Sequence, residues 1–194
     1  FQHGAGGLAA CLVAYIELTS GHASLGGINQ VAGIIGLIIG AGTLSGSLIA
    51  SGKLSGRIRQ TPFIFPKHNL LLILNIFLIM VFVFGSVISQ QPFTSVFLLL
   101  VGFSSFILGV IFSIRIGGAD MPVLISFLNA TAGLAAAFCG IALQNRLLIT
   151  FGATVAASGS ILTHVMCRGM NRGLLKVFIE SRGAVHVQPD VIFN

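Results

Sequence analysis

Long apolar runs, separated by short polar connections, dominate the chain. Six of these runs have close to the ~20 residues that an α-helix needs to cross the hydrocarbon core of a bilayer. They are apolar on every side, whereas a helix on the surface of a soluble domain carries one polar face. The pattern predicts an all-α membrane protein whose bundle of six transmembrane helices spans residues 1–18, 28–51, 69–89, 94–114, 122–143 and 147–166.

These spans define a transmembrane helical domain over residues 1–176 and leave residues 177–194 as an unassigned C-terminal tail.

The basic residues lie mostly in the connections on one side of the predicted bundle. Nine Lys and Arg residues lie in the tail or in the connections after the second, fourth and sixth spans, and the other connections carry only Arg146. Basic loops stay on the cytoplasmic side of a membrane. Both termini are therefore expected on the cytoplasmic side, or on the matrix side in a mitochondrion.

Composition supports a membrane protein and argues against two other classes. The chain is 55% hydrophobic and 7% charged, whereas soluble domains carry about 25% charged residues. The net charge of +6 does not indicate nucleic-acid binding, because the basic residues cluster at the ends of apolar runs and the chain has no Trp. The three cysteines form no CxxC or CxxH pair, so no metal site is expected.

No nucleotide site is expected in this chain either. The glycine-rich stretch at residues 40–46 lacks the GxGxxG spacing, and no strand precedes it. Small residues instead recur at helix-contact spacing on the second, fifth and sixth spans, which predicts close packing among these three helices. The third and fourth spans are dominated by Leu, Ile, Phe and Val, so they are expected to face lipid.

Polar and ionisable groups inside the spans are few, and each is a candidate for function because such groups are costly in a membrane. Histidine exchanges protons near neutral pH, so His3 and His164 could carry protons or could be interfacial residues. Glu17 is interpreted as a carboxylate at the interface. Asn129 lies within the fifth span, where its amide could bond another helix or hold water in a proton path.

Four segments of the chain carry a family resemblance. They read HGAGGLAA from His3, GTLSGSLIASGKLSG from Gly42, GGADMPVLISFLNATAGLAAA from Gly117 and GATVAASGSILTHVMCRGMNR from Gly152. Their sequence and order resemble the membrane domain of the β-type, NADP-binding subunit of proton-translocating NAD(P) transhydrogenases. The resemblance covers the chain to about residue 176 and does not extend into the tail.

The resemblance implies a function in a larger complex. Proton movement across the membrane would be coupled to hydride transfer between NAD(H) and NADP(H), and both nucleotides would bind partner domains rather than this chain. The expected partners are those two domains, the remaining membrane helices, the lipid bilayer and a second copy of a homodimeric complex. The expected location is the bacterial cytoplasmic membrane or the mitochondrial inner membrane.

The resemblance also assigns residue roles. His3 would be the protonatable group of the proton pathway, with Asn129 as its polar partner and Ser47 as a channel-lining residue. Contact with the NADP(H) domain would involve Asp120, Arg168 and Arg172. Helix packing would involve Gly133, Gly152 and Gly159.

Some positions depart from the family pattern. Ala130-Thr131-Ala132-Gly133-Leu134 replaces the family's Ser-Tyr-Ser-Gly-Trp, Ala156 replaces a glycine, and His164 replaces an aromatic residue. Two alternatives therefore stay open. One is a degenerate or truncated subunit with a structural or assembly role. The other is a haem-binding membrane subunit with His3 and His164 as axial ligands.

Overall fold

The computed structural model describes residues 2–20, 27–63, 67–89, 92–171 and 173–179. All regular structure within these residues is helical, including one 3₁₀ turn at Gly118–Asp120. The α-helices, in chain order, are α1 (Gln2–Thr19), α2 (Gly27–Leu54), α3 (His68–Ile88), α4 (Phe93–Ile114), α5 (Met121–Ala142), α6 (Arg146–Gly169) and the short α7 (Leu174–Ile179).

The six long helices begin and end within three residues of the bounds of the predicted spans. Five of them, α2 to α6, are long and apolar enough to cross a membrane. The all-helical membrane architecture is therefore confirmed for the described part of the chain. The described part of α1 is less apolar because it includes Gln2, His3 and several glycines.

Backbone hydrogen bonds close one end of the bundle, where α2 and α4 end and α5 begins. The amide of Phe63 donates to the carbonyl of Ile114 at 3.3 Å, and the amide of Gly118 donates to the carbonyl of Gln60 at 2.9 Å. The connection after α2 is thus paired with the turn that follows α4. We call this the Asp120 end, and we call the opposite end the Asn145 end, where the Asn145 side chain caps α6.

Glycines set the contact between α1 and α2. A Cβ added to Gly7 would lie 2.8 Å from the carbonyl oxygen of Gly40, and one added to Gly40 would lie 2.8 Å from the carbonyl oxygen of Gly7. Both distances are too short for a real carbon atom. The two backbones can approach this closely only because neither position has a side chain, as is typical of helix pairs in lipid.

The contact between α5 and α6 follows the same rule. A Cβ added to Gly152 would lie 2.5 Å from the Ala137 nitrogen, and one added to Gly159 would lie 2.7 Å from the Ala130 nitrogen. A Cβ added to Gly133 would lie 2.6 Å from the Ala156 nitrogen. Gly152 and Gly159 are seven residues apart, so they lie on one face of α6, and that face meets α5. Most other residues of α6 are exposed within this chain.

Burial separates α2 from the two Leu- and Phe-rich helices. Within the most apolar 18-residue stretch of each helix, 61% of α2 is buried inside the protein, compared with 33% of α4 and 17% of α3. A core of α2 and α4 side chains, with Leu37, Leu98 and Val101 at its centre, joins α1 and α5. The outer faces of α3 and α4 display large apolar side chains, as expected for helices in contact with lipid.

The short helix α7 packs beneath the Asp120 end. Its Phe178 ring lies 5.2 Å from the ring of Phe112 and 4.9 Å from that of Phe127, measured between centroids. Val177 is buried against Val123 and Cys167. The residues after α6 therefore turn back onto the bundle at this end.

Candidate functional site

His3 lines a cavity between α1, α2 and α5. The cavity has a volume of about 490 Å³ and is also lined by Ser47, Ser51 and Ser55 and by Leu128 of α5. Gly4, the next residue after His3, brings α1 against α2, because a Cβ at Gly4 would lie 3.0 Å from the Ser47 Oγ. The histidine, half-buried in the first turn of α1, thus lies beside a row of hydroxyl groups.

The three serines follow each other at intervals of four residues, so they share one face of α2 and its exit. Successive members are separated by about 6 Å along the helix axis. We call Ser47, Ser51 and Ser55 the serine row. It runs from the level of His3 toward the Asp120 end. Of its members, sequence reasoning found Ser47 and missed the other two, although their spacing was visible.

Hydrogen bonding differs along the serine row. Ser55 donates to the carbonyl of Gly52 at 3.2 Å, as Ser105 does to that of Val101 at 2.7 Å and Ser126 to that of Val123 at 2.9 Å. Within the described part of the chain, Ser47 and Ser51 have no hydrogen-bond partner for their hydroxyls. Those hydroxyls can therefore bond water or an imidazole in the cavity.

Asn129 lies beside this cavity rather than in its wall. It is half-buried on α5, one helical turn beyond Ile125 and next to Leu128, and these two neighbours line the cavity. The nine residues from Asp120 to Asn129 correspond to about 13 Å of helix. The structure thus brings His3 and Ser47 together and places Asn129 at the edge of the same region.

The three residues assigned to domain contact differ in their surroundings. Asp120 closes the 3₁₀ turn and is only 4% exposed. Arg168 is exposed in the last turn of α6. Arg172 lies outside the described residues. Of the two described members, Arg168 is therefore the one that offers a charge at the surface of the Asp120 end.

Lys53 is buried in the last turn of α2, with 0% of its surface exposed. Its ammonium group donates to the carbonyl oxygens of Ile114 at 2.6 Å, Ile116 at 2.7 Å and Ser113 at 3.4 Å. The last carbonyls of a helix have no partner within the helix, and a cation there also meets the negative end of the helix dipole.

The sequence pattern ends the second span at residue 51 and places Lys53 in the connection, which is wrong for this residue. Lys53 belongs to α2, and its charge stabilises the C-terminus of α4 rather than lying in water. The Gln60 side chain also donates to the Lys53 carbonyl at 3.4 Å. Lys53 thereby ties α2, α4 and the turn that carries Asp120 into one unit.

The two histidines of the haem alternative have different surroundings. His3 lines the cavity described above, whereas His164 is exposed on α6 and does not line that cavity. Axial haem ligands must face one another across a single site. This arrangement gives the haem alternative no support.

Comparison with known proteins agrees with the motifs. A sequence model described as NAD(P) transhydrogenase beta subunit matches residues 1–190. The chain belongs to this family. The match extends past residue 176, where the resemblance carried by the motifs ends, and so includes most of the tail.

Among curated relatives, the chain is 43% identical over 189 residues to the NAD(P) transhydrogenase subunit beta of Rhodospirillum rubrum, and a second sequence from that species matches equally. The aligned region is 94% of this chain and 40% of the relative. The chain therefore spans about two fifths of the length of the curated relatives it matches. The remainder of those proteins has no counterpart in this sequence.

Proposed function

We propose that this chain is the proton-conducting portion of the membrane domain of an NAD(P) transhydrogenase. Family membership and membrane-crossing helices support this role. The observation that carries the proposal is the cavity that His3 lines together with the serine row, because it gathers a histidine and three serines at one place in an otherwise apolar bundle. A proton carrier needs a group that titrates near neutral pH and polar neighbours that pass the proton on.

In this mechanism, His3 takes a proton from the Asn145 side of the membrane. Protonation makes both ring nitrogens donors, so the imidazolium can donate to water or to the Ser47 hydroxyl. The proton leaves through water held by Ser51 and Ser55, toward the Asp120 end. Asn129 orients water at the edge of the cavity. Because an amide does not change charge in this pH range, Asn129 assists transfer and does not carry the proton.

Hydride transfer takes place outside this chain. NADH gives a hydride to NADP⁺ on two nucleotide-binding domains, and this chain binds neither nucleotide directly. The NADP(H) domain docks at the Asp120 end, where Arg168 and Arg172 receive it and the buried Asp120 responds to its state. Lys53 holds the Asp120 turn in place, so a movement of that turn is transmitted to α2 and the serine row.

The proposed topology has six transmembrane helices, including α1, with both termini on the cytoplasmic or matrix side. The complex is a homodimer in the bacterial cytoplasmic membrane or the mitochondrial inner membrane. Cysteine labelling in intact vesicles, after replacement of the native cysteines, tests the topology. Cysteines introduced at Arg57 and Asn145 are expected to react from opposite sides, and reaction from the same side would refute the six-helix arrangement.

The serine row provides a test of the pathway. In the complete enzyme, the double variant Ser47→Ala/Ser51→Ala is expected to slow transhydrogenation-driven proton movement at least about tenfold. This is less than the about 10²–10⁴-fold contributed by a positioned general acid or base, because the serines only assist the transfer. The control is Ser158→Ala on α6, whose exposed hydroxyl bonds its own helix at the Val155 carbonyl. Equal rates for the double variant and the control would exclude the serine row from the pathway.

The docking proposal is tested by charge reversal. Arg168→Glu is expected to weaken coupling between hydride transfer and proton movement, with Arg146→Glu at the Asn145 end as the matched control. The structural or assembly alternative predicts a different outcome. Under that alternative, none of these substitutions would change either rate in an assembled complex.

A further inference from the structure

A second cavity, distinct from the one at His3, lies between α2, α3, α4 and α5. It has a volume of about 370 Å³ and shares only Leu128 with the His3 cavity. Its wall includes Ile39 of α2, Leu72 and Ile76 of α3 and Leu108 of α4. It exists because α3 packs mainly on α4, which leaves a gap between α3 and the α2–α5 side of the bundle.

The surface of this cavity is almost wholly apolar. Thr43 Oγ1 donates to Thr131 Oγ1 at 2.9 Å, and Thr131 Oγ1 donates to the Leu128 carbonyl at 3.0 Å. The side chain of Ser113, the third hydroxyl residue of the wall, has no hydrogen-bond partner among the described residues. Water needs two or more polar partners to occupy a cavity, and such partners are scarce here. The volume lies in the lower part of the range for sites that hold small apolar ligands. The apolar lining favours a hydrocarbon group as the occupant of this space in a membrane.

Basic residues lie at one end of the cavity. Leu72 is one turn from the start of α3, and Phe112, also in the wall, is three residues before Arg115. At that level the Arg115 guanidinium donates to Asn69 Oδ1 at 3.4 Å, which joins α3 to α4. Lys67, the residue before α3, is exposed, as are Arg57 and Arg59 in the adjacent connection.

This combination identifies the chemistry of the occupant. We propose that the cavity holds one acyl chain of an anionic phospholipid whose phosphate lies against Arg115 and Lys67. A basic cluster at a membrane surface beside a gap between helices is a recognised setting for anionic lipid headgroups. The bound chain fills the gap and joins α3 to the α2–α5 side of the bundle, so the lipid stabilises the folded enzyme.

The test uses the complete enzyme, purified in detergent and stripped of lipid, and measures the thermal midpoint as phospholipid is added. Dioleoylphosphatidylglycerol and dioleoylphosphatidylcholine carry the same acyl chains and differ in headgroup charge. The anionic lipid is expected to raise the midpoint at about tenfold lower concentration, because nearby cations favour its net negative headgroup, whereas the choline group offsets the phosphate charge of the other lipid. Equal responses to the two lipids would overturn the assignment of an anionic headgroup.

Two pairs of variants locate the site. Gly42→Leu fills the cavity, since Gly42 lines it and a Cβ there would make only an ordinary contact, 3.7 Å from the Ser105 carbonyl oxygen. Its control is Gly102→Leu on α4, which has similar space and does not line the cavity. Arg115→Gln removes the cation, and Arg146→Gln is its control at the other end of the bundle.

Gly42→Leu is expected to lose the lipid-dependent shift, and Arg115→Gln is expected to lose the preference for the anionic lipid, while both controls retain the wild-type response. A full response in Gly42→Leu would overturn the cavity assignment. Native mass spectrometry of the wild-type enzyme gives a reading that does not depend on any variant. One retained anionic lipid per protomer is expected, and none retained would count against the proposal.

Discussion

The glycine-packed helices and α3 are both strongly apolar, yet they are built differently. Between α1 and α2, α2 and α4, and α5 and α6, backbones meet at glycines such as Gly7, Gly109 and Gly152, where no Cβ would fit. Along α3, large side chains such as Phe77 are mostly exposed. In a membrane, hydrophobicity alone does not define the interior, because lipid is as apolar as leucine. Residue size decides where helix backbones can meet.

The candidate site lies in the glycine-packed region. His3 is adjacent to Gly4, which faces Ser47, so the close approach of α1 and α2 brings the imidazole to the serine row. Most residues of α3 are instead exposed within this chain. Close backbone packing thus positions the polar groups of the candidate site, whereas α3 presents large apolar side chains outward.

The strongest test of this comparison compares two neighbouring glycines in α1. Gly7→Leu is expected to cost at least about 3 kcal/mol, since overpacking against a fixed backbone reaches the upper end of measured costs. Gly6→Leu is the control, because a Cβ at Gly6 has nothing within 4 Å. The measurement is the free energy of unfolding in mixed micelles. Similar losses for the two variants would mean that α1 does not pack as described.

A smaller effect is expected at the buried cation. Lys53→Met removes the donor to three carbonyl oxygens at the end of α4 and is expected to cost about 2 kcal/mol, typical for hydrogen bonds to a charged group. Arg57→Met, on the exposed connection, is the control. The same unfolding measurement applies. If Lys53→Met were as stable as its control, the ammonium group would not be stabilising α4.

Lys53 also shows where sequence reasoning stops. The lengths of the helices follow from apolar runs alone, so their bounds were predictable to within three residues. The partners of Lys53 are backbone carbonyls about 60 residues away in the chain, and no sequence pattern identifies such partners. The count of basic residues therefore treated a buried cation as a loop charge.

Some residues of the candidate site could likewise be predicted from the sequence, whereas the positions of others depend on helix packing. Ser51 and Ser55 could have been predicted from their spacing after Ser47. The position of Asn129 at the edge of the cavity could not, because it depends on how α5 is rotated against α1 and α2. The burial of Asp120 depends equally on the packing of the turn after α4.

The smallest effect is expected on the lipid-facing side. Phe77→Leu changes a side chain that is 64% exposed, and surface changes of this kind usually alter stability by less than about 0.5 kcal/mol. The same substitution at Phe112 is the comparison, because that ring packs against Phe127 and Phe178. A larger loss at Phe77 than at Phe112 would show that α3 is covered by protein rather than lipid.

The central claim is that His3 carries the proton, and one measurement addresses it directly. The complete enzyme is reconstituted into vesicles, and internal acidification driven by the reverse reaction, hydride transfer from NADPH to NAD⁺ added outside, is recorded for His3→Ala, for His164→Ala and for wild type, each checked for intact assembly. The account predicts that His3→Ala abolishes acidification and that His164→Ala, which alters an exposed histidine on α6, preserves it. Acidification at the wild-type rate in His3→Ala would contradict the account.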